Sequence, residues 1–465
     1  MKLEDMPTKA AMWRTASSKV ECLLSPRHCK MDVGQTGFCR VRKNIEGTLH
    51  SLIYGKTVQL TQETIETEAV FHYAPGAPIL SLGNVGCMLA CDFCQNWKTA
   101  QVKHLDEKEI HYHTPEQVVD MALQRGIQIL SWTYNDPVVW FEYVMDTAGL
   151  ARQKGLKNLF KSSFFVSLEA AAELCNVIDV FSISIKSMDE EFYRRLSKGW
   201  LPPVLEATKL VFANGKHVEI SNLLITDLND SEDNVKRMAS WVLDNLSDEV
   251  PLHFVRFHPD YKYTHVSRTP IERLYRAREI AREMGLKYSY VGNVHEWANT
   301  ECPDCGHCLI KRYGLNAYIT GITDDNRCQK CGMESNITRL RSNGVKANNA
   351  AIDAGWKSTA SEKQFKWHGD IDSVHIVGRN ESDMPGIVVC QRKYAKDKET
   401  APVVIPLSPR EEWRFCISKG DPLETGITIQ HQPHVHVQLF QELDRAHFPT
   451  EPDMDGYEWT QVESL

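Results

Sequence analysis

The sequence predicts an α/β fold, a partial (β/α)6 TIM-like barrel with a Cys-rich N-terminal segment, a four-cysteine metal ribbon and a β-rich C-terminal appendage. Two observations predict the barrel. From about residue 76, short apolar runs alternate with longer amphipathic segments, which is the pattern of parallel strands joined by helices. Glycines also follow two of the predicted helices, as C-terminal caps often do, at Gly155 and Gly285.

The elements of the barrel follow one another along the chain. The predicted helices cover residues 114–124 (with Pro115 at the start), 141–154 and 271–284. Because the carboxyl ends of parallel barrel strands meet at one mouth, ligands should bind there. The predicted strands cover residues 78–82, 127–132, 158–162, 178–185, 217–224 and 251–257.

The chain is predicted to divide into five segments. A polar Gly/Asn/Ser-rich stretch separates the cysteine-rich part from alternating apolar runs, and the last twenty or so residues are acidic and are predicted to be loose. The predicted segments are a Cys-bearing segment at 1–75, the core barrel at 76–298, a four-cysteine zinc-ribbon-like module at 299–340, a linker at 341–364 and a β-rich domain at 365–465.

Composition excludes several classes of partner. The 465 residues are 42% hydrophobic and 25% charged, with a formal net charge of -8, so no broad basic field exists to attract nucleic acid. No run is long and apolar enough for a membrane span, and the first residues lack the apolar stretch of a signal peptide. We therefore expect a cytoplasmic protein without a membrane or nucleic-acid partner. Its 14 cysteines then indicate metal ligands rather than disulfides.

The most informative motif is the run GNVGCMLACDFCQNW, which spaces Cys87, Cys91 and Cys94 as Cys-x3-Cys-x2-Cys. Three such thiolates can hold three irons of a [4Fe-4S] cluster and leave the fourth iron free for a small molecule. The alternatives are a zinc site or three buried thiols. Zinc knuckles usually pair two Cys-x2-Cys elements, which a lone triplet does not match.

A second group of cysteines, in CPDCGHC and RCQKCG, forms two Cys-x2-Cys pairs that are each followed by a glycine. Four thiolates close a tetrahedral shell, so zinc is predicted here and a rubredoxin-like iron stays possible. A third group near the N-terminus is either a metal site or a set of packed thiols. The second group is Cys302, Cys305, Cys328 and Cys331, and the third is Cys22, Cys29 and Cys39.

The cysteine triplet resembles the signature of the radical S-adenosylmethionine (SAM) superfamily. The segments WTYNDP, SISIKS and VRFHPD add to the likeness, and together they resemble the radical SAM enzyme of the AmmeMemoRadiSam system, a relative of pyruvate formate-lyase activating enzymes, over about residues 20–333. The resemblance implies that four side chains orient SAM, although Asp136 stands where a glutamate is usual and Ser184 where an aspartate is usual. The four are Asn135, Asp136, Lys186 and His258.

The resemblance also implies an activity. A [4Fe-4S] cluster would reductively cleave SAM to a 5'-deoxyadenosyl radical, which would abstract hydrogen from a substrate. Kinship with activating enzymes favours a protein or peptide substrate, and an external flavodoxin or ferredoxin would supply the electron. The alternatives are radical modification of a small metabolite, or a non-enzymatic iron–sulfur scaffold, whose cluster would normally have four protein ligands.

Overall fold

The computed structural model describes residues 2–294 and 298–340 and, beyond them, the backbone of eight strand segments between residues 361 and 461. The chain forms two units, Met1–Leu340 and Arg341–Leu465. The predicted boundaries at residues 75 and 298 lie inside the first unit and stay predictions. Within the described residues, no helix combines the length and apolar character that a membrane crossing requires.

The first unit is built on one eight-stranded sheet, in which the strands are neighbours in the order of the chain. β1 pairs antiparallel with β2, and every later strand pairs parallel with the one before it. The strands are β1 (Gln59–Thr64), β2 (Pro78–Gly83), β3 (Ile129–Thr133), β4 (Lys157–Ser162), β5 (Val180–Ser184), β6 (His217–Leu224), β7 (Leu252–Arg256) and β8 (Ser289–Gly292).

The predicted α/β class is confirmed, and all six predicted strands are present as β2 to β7. The structure adds the antiparallel edge strand β1 and a seventh parallel strand, β8, which has only four residues. In register, Ile129 of β3 lies beside Ile79 of β2, and Thr133 lies beside Gly83. The carboxyl ends of the parallel strands therefore meet at one edge of the sheet.

Helices connect the parallel strands, and local sequence explains where they begin. The first starts after Thr114, whose hydroxyl accepts from the Gln117 amide while the Gln117 side chain accepts from the Thr114 amide, a capping box with Pro115 at the first position. Within residues 2–294, the helices of seven or more residues are α1 (Pro115–Gln124), α2 (Phe141–Gln153), α3 (Leu168–Leu174), α4 (Leu201–Ala213), α5 (Glu232–Asn245) and α6 (Ile271–Glu283).

The two faces of the sheet differ in chemistry because successive strand residues point to opposite sides. One face, with Leu82, Trp132 and Phe181, is completely buried in the main hydrophobic core, where each large apolar side chain contributes roughly 1.5–3 kcal/mol. The other face carries polar residues such as Ser131, Lys161, Ser182 and Glu219.

A 3₁₀ turn at Ile65–Glu68 covers the polar face. The Glu68 carboxylate accepts from the hydroxyls of Ser131 and Thr133, each at 2.8 Å. The Lys161 ammonium donates to the Glu68 carbonyl oxygen at 3.0 Å. These bonds satisfy buried polar groups that would otherwise be costly to remove from water.

The N-terminal segment forms short antiparallel strands that pack on the sheet unit. The Arg42 guanidinium pairs with both carboxylate oxygens of Glu142 in α2, at 2.7 and 3.1 Å, and both side chains are nearly fully buried. Such a bidentate pair fixes the segment on the helix layer. The strands are Thr8–Lys9, Trp13–Ala16, Lys19–Cys22, Lys30–Met31, Arg42–Ile45, Thr48–Ser51 and Lys56–Thr57.

The end of the first unit is a three-stranded antiparallel ribbon, Thr300–Glu301, Cys308–Tyr313 and Asn316–Ile319. The second unit contains two four-stranded antiparallel sheets, as the predicted β-rich appendage requires. Most of the predicted linker lies outside the described residues. In spatial order, the sheets are Ser361–Lys366, Glu424–His431, Gly386–Tyr394 and Val403–Leu407, and Glu412–Ser418, Ser373–Asn380, Val435–Gln441 and Thr460–Gln461.

Candidate active site

The cysteine triplet lies on the loop that follows β2, at the carboxyl edge of the sheet. Cys87, Cys91 and Cys94 are each half-buried. Burial raises the pKa of Cys94 to about 12 and that of Cys87 well above its usual value, and the neighbouring thiols add to both shifts. Thiols in such a setting need a bound cation to become thiolates.

The spacing of the triplet differs from that of a single-ion site. Among the described residues, one set of cysteines has all its sulfurs within 4.8 Å of one another, and that set is in the ribbon. The sulfurs of Cys87, Cys91 and Cys94 do not form such a set, although the three cysteines lie within eight residues of one loop. Ligands to different irons of one cluster need a wider spacing than ligands to a single ion, so the donor set fits a [4Fe-4S] cluster.

A π-helical turn, Tyr193–Ser197, holds the cysteine loop. The Ala90 amide donates to the Ser197 carbonyl at 3.1 Å, and the Asp92 amide donates to the Leu196 carbonyl at 2.9 Å. π-turns are rare and frequently lie at functional sites. The loop is therefore fixed by backbone bonds to a segment about one hundred residues away in the chain.

Asn135 connects the end of β3 to the cysteine loop on both sides of the triplet. Its side-chain amide donates to the Asn84 carbonyl, and its side-chain oxygen accepts from the Thr99 hydroxyl at 3.2 Å. The preceding Tyr134 has φ 72°, a left-handed conformation that is uncommon outside glycine and tends to occur at functional sites.

Asp136, the residue after Asn135, is completely buried. Its carboxylate accepts from the hydroxyls of Ser162, at 2.9 Å, and Ser163, and from the Val138 amide at 3.2 Å. Burial raises the pKa of Asp136, and these bonds oppose the shift. The carboxylate thus caps the turn Pro137–Trp140 and fixes the chain that presents Asn135.

Lys186 follows β5 and is half-buried near the cysteines. Burial raises the pKa of Cys91 and of Cys94, and the positive charge of Lys186 opposes both shifts. The same charge acts on Asp136. Ser184, two residues before Lys186, stands where an aspartate is usual in the family that the sequence resembles. Its hydroxyl bonds to Ser221 at 2.9 Å, and it gives Lys186 no carboxylate partner.

His258 follows β7 and is half-buried. Its Nδ1 atom accepts from the Arg268 Nε at 3.0 Å. The hydrogen bonds in the described part of the chain therefore connect Asn135 with the cysteine loop, while His258 is connected with the segment that leads to α6. Its role in binding stays a prediction.

Sequence reasoning missed Lys161, which lies on the polar face of the sheet in β4. Its ammonium donates to the Ser182 hydroxyl, the Ser221 hydroxyl and the Glu68 carbonyl, each at 3.0 Å. Burial lowers the pKa of Lys161 to about 8, against the charge of Glu68. The sequence feature that could have identified Lys161 is its position inside the apolar run NLFKS, because a buried charge needs partners.

The ribbon brings the four predicted cysteines together. The sulfurs of Cys302 and Cys331 are 3.6 Å apart, those of Cys305 and Cys328 are 3.7 Å apart, and all four lie within 4.8 Å of one another. The amides of Gly306 and Gly332 donate to the Cys302 and Cys328 carbonyls at 2.9 Å, and both glycines have positive φ. The arrangement can bind one metal ion in a tetrahedral thiolate shell.

Known proteins resemble this chain in sequence and structure. Residues 83–242 match the family model described as the radical SAM superfamily. The uncharacterized protein MJ0808 of Methanocaldococcus jannaschii is 41% identical over 323 residues, which are 69% of this chain and 96% of that protein. The probable dual-specificity RNA methyltransferase RlmN of Thermosipho melanesiensis is 23% identical over 239 residues, 48% of this chain and 67% of that protein.

Solved structures match at low similarity. A domain of pyruvate-formate lyase-activating enzyme from Bacteroides vulgatus has 17% identity and a TM-score of 0.32, over 35% of this chain and 98% of that chain. Streptococcus suis SuiB bound to S-adenosylmethionine has 13% identity and a TM-score of 0.37, over 50% of this chain and 53% of that chain.

The fold and the loop define a class of α/β protein in which three cysteines stand at the carboxyl edge of a mostly parallel sheet. The chain belongs to the radical SAM superfamily. It is therefore an enzyme of that superfamily, and membership implies a [4Fe-4S] cluster and SAM. Membership in the AmmeMemoRadiSam subgroup stays a prediction.

Proposed function

We propose that this enzyme binds its [4Fe-4S] cluster through Cys87, Cys91 and Cys94 and cleaves SAM reductively. When bound, the reduced cluster supplies the electron that releases a 5'-deoxyadenosyl radical, and this radical abstracts hydrogen from the substrate. The observation that carries the proposal is the cysteine loop itself, with its thiols at the carboxyl edge of the sheet and the Lys186 charge beside Cys91 and Cys94.

The chain's own residues would bind and orient SAM. Because Ser184 stands where an aspartate is usual, that position gives the Lys186 ammonium no carboxylate partner. Lys186 would instead pair with the methionine carboxylate of SAM. Asn135 would present polar atoms to the methionine ammonium, while the buried Asp136 keeps that segment in place through its hydroxyl and amide donors. His258 would contact the cofactor from the end of β7. Positioning of this kind can supply a large part of a rate enhancement.

A protein or peptide is the proposed substrate, as for glycyl-radical activating enzymes, with a flavodoxin or ferredoxin as electron donor. Resemblance of the segment at residues 132–137 to the activating enzymes supports this choice. Radical modification of a small metabolite is the alternative. We further propose that the ribbon holds Zn²⁺, because four thiolates at tetrahedral spacing form a closed structural shell.

The activity is tested by product analysis after anaerobic reconstitution with iron and sulfide. Protein, dithionite and SAM are mixed, and nucleosides are identified by mass spectrometry. 5'-Deoxyadenosine from the wild type, and none from Cys94→Ala, supports the proposal. Methylthioadenosine as the product would contradict it, since a different C–S bond would then have broken.

The substrate class is tested by isotope transfer. Cells grown in D₂O give a deuterated lysate, which is divided by ultrafiltration into macromolecules and small molecules, and each fraction is added to the reaction. Deuterium in 5'-deoxyadenosine with the macromolecular fraction, lost after protease treatment, supports a protein or peptide. Deuterium with the small-molecule fraction, from which the deuterated SAM of the cells has been removed, instead favours the metabolite alternative. Cys94→Ala controls for exchange that does not depend on the cluster.

A further inference from the structure

Three cysteines outside both sites already described line one small cavity in the N-terminal segment. Cys22 is buried, and Cys29 and Cys39 are half-buried. The cavity has a volume of about 10 Å³, the space of a single small occupant, and the thioethers of Met31 and Met88 also line it. Five sulfur-containing side chains therefore line one small cavity.

The backbone brings these cysteines together. The strand Lys19–Cys22 pairs with Lys30–Met31, so Cys22 lies opposite Cys29 and its amide donates to the Cys29 carbonyl at 3.0 Å. The amide of Gly37 donates to the Arg42 carbonyl at 2.9 Å, which closes the turn that returns Cys39 to the same cavity.

One of the three sulfurs accepts a hydrogen bond from a backbone amide. The Phe38 amide donates to the Cys29 sulfur at 3.5 Å. An amide directed at sulfur stabilises negative charge on a thiolate.

Two guanidinium groups complete the lining of the cavity. The charge of Arg27 acts on Cys29 and Cys39, and that of Arg42 acts on Cys22 and Cys39. The Arg42 charge is already paired with Glu142, so of the two it is the Arg27 charge that offsets part of the excess negative charge that three thiolates would place around one ion.

We propose that Cys22, Cys29 and Cys39 bind one soft metal ion with a filled d shell, Zn²⁺ or Cu⁺. Thiolate and thioether ligands select such ions. Ser25, which also lines the cavity, or a methionine sulfur takes the fourth position. Binding displaces the thiol protons to solvent. The three sulfurs are not gathered as tightly as those of the ribbon, so binding one ion requires the cysteine side chains to rotate about χ1.

The bound ion would stabilise the conformation of the cysteine loop of the active site. Arg27, at the cavity, donates from Nε to the carbonyl of Met88, which lies between Cys87 and Cys91. On the same side, a Cβ atom at Gly86 would be 2.8 Å from the side chain of Val41. The metal-binding turns thus pack directly on the loop that carries the cluster ligands.

Metal counting on the full chain tests the proposal. Chelator-treated protein is titrated anaerobically with Zn²⁺ alone or Cu⁺ alone, freed of excess ion, and analysed by inductively coupled plasma mass spectrometry. We expect Cys29→Ala to bind one ion fewer per chain than the wild type with at least one of the two metals. Cys175→Ala, which removes a buried thiol outside the cysteine groups, should bind the wild-type number. The metal that is lost distinguishes Zn²⁺ from Cu⁺.

A second measurement needs no substitution, so it holds even if Cys29→Ala folds poorly. Native protein is alkylated with iodoacetamide with and without the metal, and the peptide that contains Cys29 is quantified. Protection of Cys29 by the metal supports the site. Equal alkylation with and without Zn²⁺ and Cu⁺, or a wild-type ion count in folded Cys29→Ala, overturns it. Neither readout depends on SAM cleavage, so failure here is separate from failure of the proposed activity.

Discussion

Gly199 lies so close to Leu89 that a Cβ atom at Gly199 would be 2.6 Å from the Leu89 Cδ2 atom. Leu89 is part of the cysteine loop, between Cys87 and Cys91. Next to Gly199, the Lys198 ammonium pairs with the Asp92 carboxylate of the same loop at 2.8 Å. The glycine therefore permits the close approach on which the backbone bonds between loop and π-turn depend.

Gly199→Ala should loosen the cysteine loop. The added methyl group must displace Leu89, and overpacking of this kind costs about 1–3 kcal/mol. We expect faster loss of cluster absorbance in the presence of a chelator. Gly149→Ala is the matched control, because its Cβ has nothing within 4 Å and it lies inside α2. Equal rates of cluster loss in both variants would contradict the prediction.

Regular elements were the part of the fold that local sequence could predict. The strand predicted at 217–224 is observed with those bounds, and α1 begins at the predicted Pro115 because its capping signals are local. β8 was absent from the predicted strands, since four residues carry little pattern. The predicted curving of the sheet into a partial barrel stays a prediction.

The candidate site was predictable to a similar extent. Cysteine spacing predicted the four cysteines that the ribbon gathers, because metal ligands impose their own spacing on the sequence. The assignment of the cysteine triplet to a cluster stays a prediction. The π-turn that holds the loop, and the bond from Asn135 to the Asn84 carbonyl, arise from residues far apart in the chain. No local pattern encodes such contacts, so only the folded chain reveals them.

Cys91→Ala should abolish both the cluster and SAM cleavage. With one of three thiolates missing, the cluster loses an iron ligand in a loop that has no spare cysteine. Iron content, cluster absorbance and 5'-deoxyadenosine are measured after identical reconstitution. Cys175→Ala should keep all three. Continued 5'-deoxyadenosine production by Cys91→Ala would refute the ligand assignment.

Lys186→Met should weaken SAM binding while the cluster stays in place. Loss of one charge-assisted bond costs about 1.5–3 kcal/mol, which corresponds to roughly 10- to 150-fold in Kd. Equilibrium binding of SAM to the reconstituted protein gives the value. Lys157→Met is the control, because Lys157 pairs with Asp179 at the opposite end of β4 from the site. An unchanged Kd in Lys186→Met would remove this residue from the SAM site.

Cys305→Ser should lose about one metal ion per chain and destabilise the ribbon, without affecting the cluster absorbance. The four ribbon sulfurs form one shell, and structural zinc contributes directly to folding. Metal content and limited proteolysis around residues 300–340 are the measurements. Cys308→Ser, on the strand Cys308–Tyr313 and outside the shell, should behave like the wild type. Unchanged zinc and iron contents in Cys305→Ser would disprove the ribbon site.

Acid should destabilise the first unit through His72. This imidazole is completely buried, with Nδ1 at 2.8 Å from the Asn336 side-chain oxygen and Nε2 at 2.7 Å from the Tyr290 hydroxyl. Burial lowers the pKa of His72 to about 3 from its ordinary 6.5. Below pH 6.5 the unfolded chain therefore binds a proton that the folded chain does not, so the free energy of unfolding falls as the pH falls.

From pH 8 to pH 5, this one group should remove about 2 kcal/mol of stability. Urea unfolding of the wild type and of His72→Gln at both pH values measures the effect as the difference between their pH dependences. Other groups that titrate, including the buried His253, are common to both proteins and cancel. We expect a shallower pH dependence in His72→Gln even if that variant is less stable at pH 8. If the free energy of unfolding changes with pH by the same amount in the wild type and in His72→Gln, then His72 is protonated equally in the folded and unfolded chain.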